Sequence, residues 1–270
     1  MSRIRSENQF EEDVLNGNST IDEGALRHTC SELYARISAF LQTPFDDKRL
    51  KRTQEQTRTS LKVIQEALTQ YSLEELSLSY NGGKDCLVLL VLFLAALSTH
   101  PTLLPPRLQS VYIVSPHPFT EVDGFVDRSA EAYFLDVARY TKPMKEAFET
   151  YLKECSRVKA IFVGTRRSDP HGAHLTHFDK TDHGWPDFMR IHPVIDWHYA
   201  EIWTFIRQLE IPYCPLYDLG FTSLGGTTDT SPNPALRATS TEGSDSGNEK
   251  FLPAYDLIES DEERLGRDKQ

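Results

Sequence analysis

From Ala25 onward, Leu26, Cys30, Leu33, Ile37, Phe40 and Leu41 recur at steps of three and four residues, the pattern of a helix with one buried stripe. Pro44 in "LQTPFDD" ends that helix, because proline has no N–H to give and its ring clashes with the preceding turn. Leu61, Ile64, Leu68 and Tyr71 predict a second helix of the same kind. After residue 75 the pattern becomes an alternation. "LSLSY" (76–80), "VYIV" (111–114), "FLDVA" (134–138) and "AIFVG" (160–164) read as short strands. Between them "CLVLLVLFLAAL", residues 121–134 and "PMKEAFETYLKEC" read as helices, Pro143 suiting a first turn, and "HYAEIWTFIRQL" predicts one more. Strands separated by helices predict an α/β fold, Rossmann-like, with a mostly parallel sheet and helices on both faces. The first two helices read as packing elements.

Composition narrows the picture. The chain has 270 residues, 39% of them hydrophobic, which suits a single α/β domain. A net charge of −11 argues against nucleic acid as a partner, since phosphate backbones are gripped by clustered Lys and Arg, and acidity is read as a solubility device. Cys30, Cys86, Cys155 and Cys214 form no CxxC pair and no disulfide framework, so a reducing compartment is expected. The start "MSRIRSENQFEEDVLNG" lacks an apolar signal region, and the longest apolar run, Leu87 to Leu97, is about half a membrane span. The expectation is a cytoplasmic monomer that needs no membrane.

The chemistry gathers where strands end. In parallel sheets ligands sit beyond the carboxyl ends of strands, and both "SYNGGKD" and "VGTRRSDP" start there. Strand, glycine pair and helix make an anion site: the glycines let N–H groups converge and the helix start carries a positive dipole end. Lys84 adds a mobile charge for phosphate oxygens, and Asp85 fits as a Mg²⁺-bridging or helix-start carboxylate. The loop is not a Walker A loop, because Lys84 precedes Asp85 rather than Ser or Thr, and GxGxxG is absent. A ligand-free Gly-Gly turn is the bland alternative. The excursion 163–197 concentrates charge: Arg166 and Arg167 suit phosphate, while Asp169 before Pro170 suits a turn or a ligand hydroxyl. His171, His174, His177 and His183 match no zinc spacing and read as surface groups or as groups supporting a site from outside it, and Cys86, opening an apolar helix, reads as a structural thiol.

The layout follows: residues 1–20 loose, 21–72 N-terminal helices, 73–220 the nucleotide-binding core, and 221–270 a C-terminal extension. That extension contains a long Gly/Ser/Thr/Pro-rich loop at 224–250 and a tail that returns to the core.

"SYNGGKD", "GTRRSDP", "WPDFMRIHPVIDW", "LYDLGFTSLGGTTDTSPNPAL" and "LPAYDLIESDEERLGR" together resemble the eukaryotic FMN adenylyltransferases, or FAD synthetases. These form part of the phosphoadenylylsulfate-reductase-like branch of the PP-loop pyrophosphatase superfamily, with its adenine nucleotide alpha hydrolase-like fold. The resemblance spans roughly residues 55–267. It implies that ATP and FMN give FAD and pyrophosphate with Mg²⁺, the FMN phosphate attacking the α-phosphorus. Such transfers need positioning and charge neutralisation rather than a covalent intermediate. It further implies that Ser79, Asn81, Gly82, Gly83 and Lys84 cradle the departing phosphates, that Asp85 helps hold Mg²⁺ or orders the loop, and that Gly164, Arg166 and Asp169 face the nucleotide and reaction centre. The "VYIV" end and "SPHPF" would border the adenine. Asp169, Asp182, Trp185 and Arg190 would form the flavin side, and Arg264 and Arg267, three apart on one helical face, would fold over the phosphates. Asn81, Asp85, Asp169, Arg264 and Arg267 would be the catalytic set. Superfamily loops read SGGxDS or SGGxDT, so Cys86 stands where a hydroxyl is usual. Three alternatives remain: an adenylylated-sulfate reductase, which would want a cysteine after Cys214; a tRNA-thiolating enzyme, which would want CxxC pairs; and a nucleotide sensor without turnover.

Overall fold

The computed structural model describes residues 18–182, 184–238 and 250–267, with side chains from residue 24 onward. The first helix, α1 (Asn18–Gln42), begins earlier than the apolar pattern required, and residues 1–17 of the segment expected to be loose lie outside the described residues. α2 (Lys48–Gln70) starts where the Asp47 carboxylate accepts the Leu50 N–H at 2.9 Å, satisfying one orphan donor of the first turn. α3 (Lys84–Leu97) buries every residue except Asp85, so it runs through the interior rather than along the surface.

The sheet has six strands: β1 (Leu76–Ser79), β2 (Leu108–Ile113), β3 (Leu135–Tyr140), β4 (Ala160–Phe162), β5 (Phe178–Lys180) and β6 (Met189–Ile191). Their spatial order is β3-β2-β1-β4-β6-β5, all neighbours parallel except β5 against β6. The chain winds outward from β1 to β3, then crosses to the other side at β4, so the order reverses between β1 and β4. That reversal opens a crevice at the carboxyl ends of these two strands. The excursion 163–197 therefore does not stay a loop: it returns to the sheet as β5 and β6.

The two faces are covered unequally. One carries the large core built on α1, α2, α3 and two further helices, α4 (Thr120–Ala132) and α6 (Tyr199–Gln208). The other carries a small core of Val111, Tyr140, Ala147, Phe148, Tyr151, Val158, Ile161 and Phe188, covered by α5 (Met144–Glu154). Beyond α5 the sheet's second face is left as the floor of a cleft. The expected long loop is ordered at its start: Asn233 is fully buried and donates to Thr222 Oγ1 and to the Glu262 carbonyl, each at 2.8 Å. Residues 239–249 of that loop lie outside the described residues.

Candidate active site

β1 ends at Ser79, and residues 80–83 turn the chain into α3. Gly82 has φ +73°, and a Cβ there would lie 2.9 Å from Val126 Cγ2, so both backbone and space demand glycine. Asn81 Oδ1 accepts the Gly83 N–H at 3.0 Å and the Cys86 thiol at 2.8 Å, and that thiol also reaches the Gly83 carbonyl at 3.1 Å. Burial pushes the Cys86 thiol up to about 12, so it stays protonated and ties the loop as a hydroxyl would. The Tyr217 hydroxyl accepts the Lys84 N–H at 2.8 Å. Gly164 abuts the helix start so closely that a Cβ would fall 2.8 Å from the Cys86 nitrogen, which brings the two motif loops together.

Beneath the loop lies a buried charge cluster. Lys84 is only 2% exposed, and its Nζ sits 2.5 Å from Glu263 Oε1 and 3.1 Å from Asp85 Oδ2. Arg166, 1% exposed, donates through Nη2 to both Glu263 oxygens at 2.6 Å. Its Nε is 2.7 Å from Asp85 Oδ1, an ion pair without hydrogen-bond alignment. Asp169 Oδ2 accepts the Arg166 N–H at 2.8 Å, while Oδ1 is 3.7 Å from Nη2. Burial disfavours the Lys84 charge, yet Asp85 and Glu263 outweigh it and raise its pKa. Burial pushes Glu263 up, but Lys84 and Arg166 outweigh that and hold it below the usual carboxylate range. Asp169 goes the other way, raised by burial and by neighbouring Asp85.

Several expectations change here. Lys84 is not a mobile cation, and Arg166 is not a phosphate arm: both are locked by carboxylates because buried charges must be paired. Glu263, which the sequence reading passed over just before the arginines it selected, sits at the centre of the cluster. Arg264 and Arg267 do not share a helical face. A 3₁₀ turn, Ser260–Arg264, ends at the first, and Arg267 lies past it in a bridge with Thr230. Arg267 donates to the Leu224 carbonyl at 2.9 Å and lies 3.4 Å from Asp229, while Arg264 stands exposed at the rim.

The cleft above this cluster has a volume of about 930 Å³. It is lined by Ser79, Asn81, Gly83, Lys84, Asp85, Gly164, Asp169, Asp182, Trp185, Arg190, Arg264 and Arg267; of the expected residues, Gly82 and Arg166 do not line it. Its far end is aromatic and apolar. Phe148 lies 5.2 Å from Phe188 and 6.4 Å from Trp185 between ring centroids, with Met144 beside them on the wall. Trp185 is 38% exposed, in a turn closed by its N–H on the Asp182 carbonyl at 3.0 Å, so it is not core. Met144, Phe148, Phe188 and His192 were not foreseen as wall residues. Ile113 at the end of β2 lines the cleft, but "SPHPF" turns away and packs on the C-terminal extension, where the His117 carbonyl accepts the Thr227 N–H at 2.8 Å.

A resident Mg²⁺ on Asp85 does not fit these side chains. Both Asp85 oxygens face cations, and no group of three His, Cys, Asp or Glu side chains able to hold a metal occurs among the described residues. Of the four histidines, His171 lines the cleft, His177 Nδ1 lies 3.0 Å from the His192 carbonyl, and His183 is outside the described residues. No described helix is long and apolar enough to cross a membrane.

Comparison with known proteins agrees with this architecture. The phosphoadenosine phosphosulfate reductase domain family matches residues 75–154 and 136–232. A probable FAD synthase of Schizosaccharomyces pombe is 41% identical over 239 residues, covering 87% of each chain. The flavin adenine dinucleotide synthase of Saccharomyces cerevisiae is 33% identical over 227 residues, covering 76% of this chain and 74% of its own. The crystal structure of Candida glabrata FMN adenylyltransferase in complex with FMN and the ATP analogue AMPCPP superimposes with a TM-score of 0.84 at 32% identity, over 90% of this chain and 99% of that one.

Proposed function

We propose that this chain, which belongs to the FAD synthase family, transfers the adenylyl group of ATP to the phosphate of FMN, giving FAD and pyrophosphate. The observation that carries the reading is one cleft with two unlike ends: a glycine loop at a helix start and an aromatic wall. A phosphate oxygen of FMN forms the new bond to the α-phosphorus, the bond to the β-phosphate bridge oxygen breaks, and its electron pair leaves with pyrophosphate. The phosphomonoester is already a nucleophile near neutral pH, so the protein's task is to align two anions and offset their charge.

The cluster under the loop sets two cations, Lys84 and Arg166, against three carboxylates, Asp85, Asp169 and Glu263, so it is not a positive clamp. The triphosphate therefore brings its own counterion, and Mg²⁺ belongs to this reaction as part of the nucleotide substrate. Arg264 at the rim, Arg267 behind it and the dipole of α3 supply the remaining positive potential. Asp85 and Asp169 act by fixing Arg166 and the turn after β4, which sets where the α-phosphorus rests. Trp185, Phe188 and Met144 hold the flavin ring, with Asp182 placed to accept from a ring N–H and Arg190 to donate.

Relatives named FAD synthase, matched over 87% and 74% of their own lengths, favour adenylyl transfer over the reductase reading. Incubation with MgATP and FMN, with FAD followed by chromatography, is the test. FAD accumulating with pyrophosphate is expected. ATP bound without FAD formed would make the chain a sensor instead.

A further inference from the structure

The side chain of His192 has no role in the scheme above, yet it is 1% exposed and lines the cleft. Neither ring nitrogen has a hydrogen-bond partner among the described residues, and the backbone at Val163 approaches without meeting hydrogen-bond geometry. Two unsatisfied nitrogens in a buried imidazole are unfavourable unless a ligand completes them. Burial, with Arg190 second, pushes its pKa down to about 4, so near neutral pH the ring is uncharged and carries one donor and one acceptor.

Its place along the strand indicates what it meets. Phe188 precedes β6 and His192 follows it, about 13 Å apart at the rise of an extended strand. Phe188 sits with Trp185 at the aromatic end. At the other end the Val163 N–H bonds the Ile191 carbonyl at 2.8 Å, which places His192 beside Val163 and one residue short of Gly164, the glycine pressed on the helix start. A flavin with its ring at Trp185 and its phosphate at the loop passes His192 with the part that joins them. That part is a chain of hydroxyls, each a donor and an acceptor like the neutral ring.

We propose that His192 is a specificity-determining residue that hydrogen-bonds the polyol chain of the flavin substrate, an assignment that rests on the adenylyl-transfer reading. Nothing in it requires the imidazole to exchange a proton with the reacting phosphates.

The test compares dissociation constants, from quenching of flavin fluorescence, for riboflavin and for lumiflavin, which keeps the ring but lacks the polyol. His192→Leu should weaken riboflavin by about tenfold or more and leave lumiflavin within about twofold. His192→Asn, which retains a donor and an acceptor, should recover part of the loss. Unchanged riboflavin affinity in His192→Leu, or an equal loss for lumiflavin, would overturn the proposal. If His192→Leu fails to fold, judged by its ATP affinity, His192→Phe keeps a ring without nitrogens and is read by the same criteria. FAD formation by the wild-type protein in the same preparation tests the underlying reading separately.

Discussion

The two ends of the cleft are built on opposite plans. At the loop end, the Gly83 and Lys84 amides, the Lys84 ammonium and the Arg166 guanidinium already have partners within the protein. From the proposed flavin end towards the loop, Trp185 stands partly exposed, and Arg190 Nε and both His192 nitrogens are buried without partners among the described residues. One end is satisfied by the fold; the other keeps polar atoms that the fold leaves unsatisfied. Changes at the loop end should therefore damage stability and turnover together, whereas changes at the flavin end should act on affinity.

The largest effect should come from Glu263→Gln, which leaves Lys84 and Arg166 short of a charge partner while keeping the shape. A loss of about 3–5 kcal/mol in urea unfolding is expected, together with impaired FAD formation. Wild-type stability would mean the cluster is not structural. Acid separates the two ends next. His192 has a folded-state pKa of about 4, below its ordinary 6.5, with Arg190, Asp179 and His177 around it. The unfolded chain therefore binds the proton first, and stability falls as pH drops from about 6.5 to about 4, by about 3 kcal/mol in all. His192→Leu should lack that limb of the stability profile. Glu263, also depressed, holds its contribution above its ordinary 4.5 and loses it only as pH falls lower still, through its folded value.

A smaller effect is expected for Trp185→Ala. KM for FMN should rise about tenfold, the worth of one stacking contact, with KM for ATP and the thermal midpoint unchanged. A matching rise for ATP would show that the two ends are not separate. Smallest of all, Tyr217→Phe removes the acceptor for the Lys84 N–H and should lower stability by about 1 kcal/mol, seen as a shift in the denaturation midpoint.

The loop end was legible because its signals are local. A run of "LSLSY", two glycines and an apolar helix fixes strand, turn and helix start within 22 residues, 76–97. The aromatic end was singled out only through resemblance. Its strands β5 and β6 are three residues long, "FDK" and "MRI", and present no alternation from which to call a strand. Phe148 and Met144 looked like ordinary positions of an amphipathic helix. Glu263 had no local signal at all, since it lies in a terminal run of charge, "SDEERLGR", that reads as solvated. A signal did exist elsewhere. Lys84 opens a helix that is otherwise apolar, and a lysine entering such a core needs an acid from some distant part of the chain.

That acid is 179 positions downstream of the lysine it neutralises. During synthesis the sheet and its central helix leave the ribosome first, and for that interval Lys84 and Arg166 have no Glu263 to meet. A translating chain can thus form most of its secondary structure yet must leave the buried ion cluster incomplete until the tail emerges. Premature termination just before Glu263 would yield a protein with an electrostatic fault in its middle, a target for proteases rather than a weak enzyme.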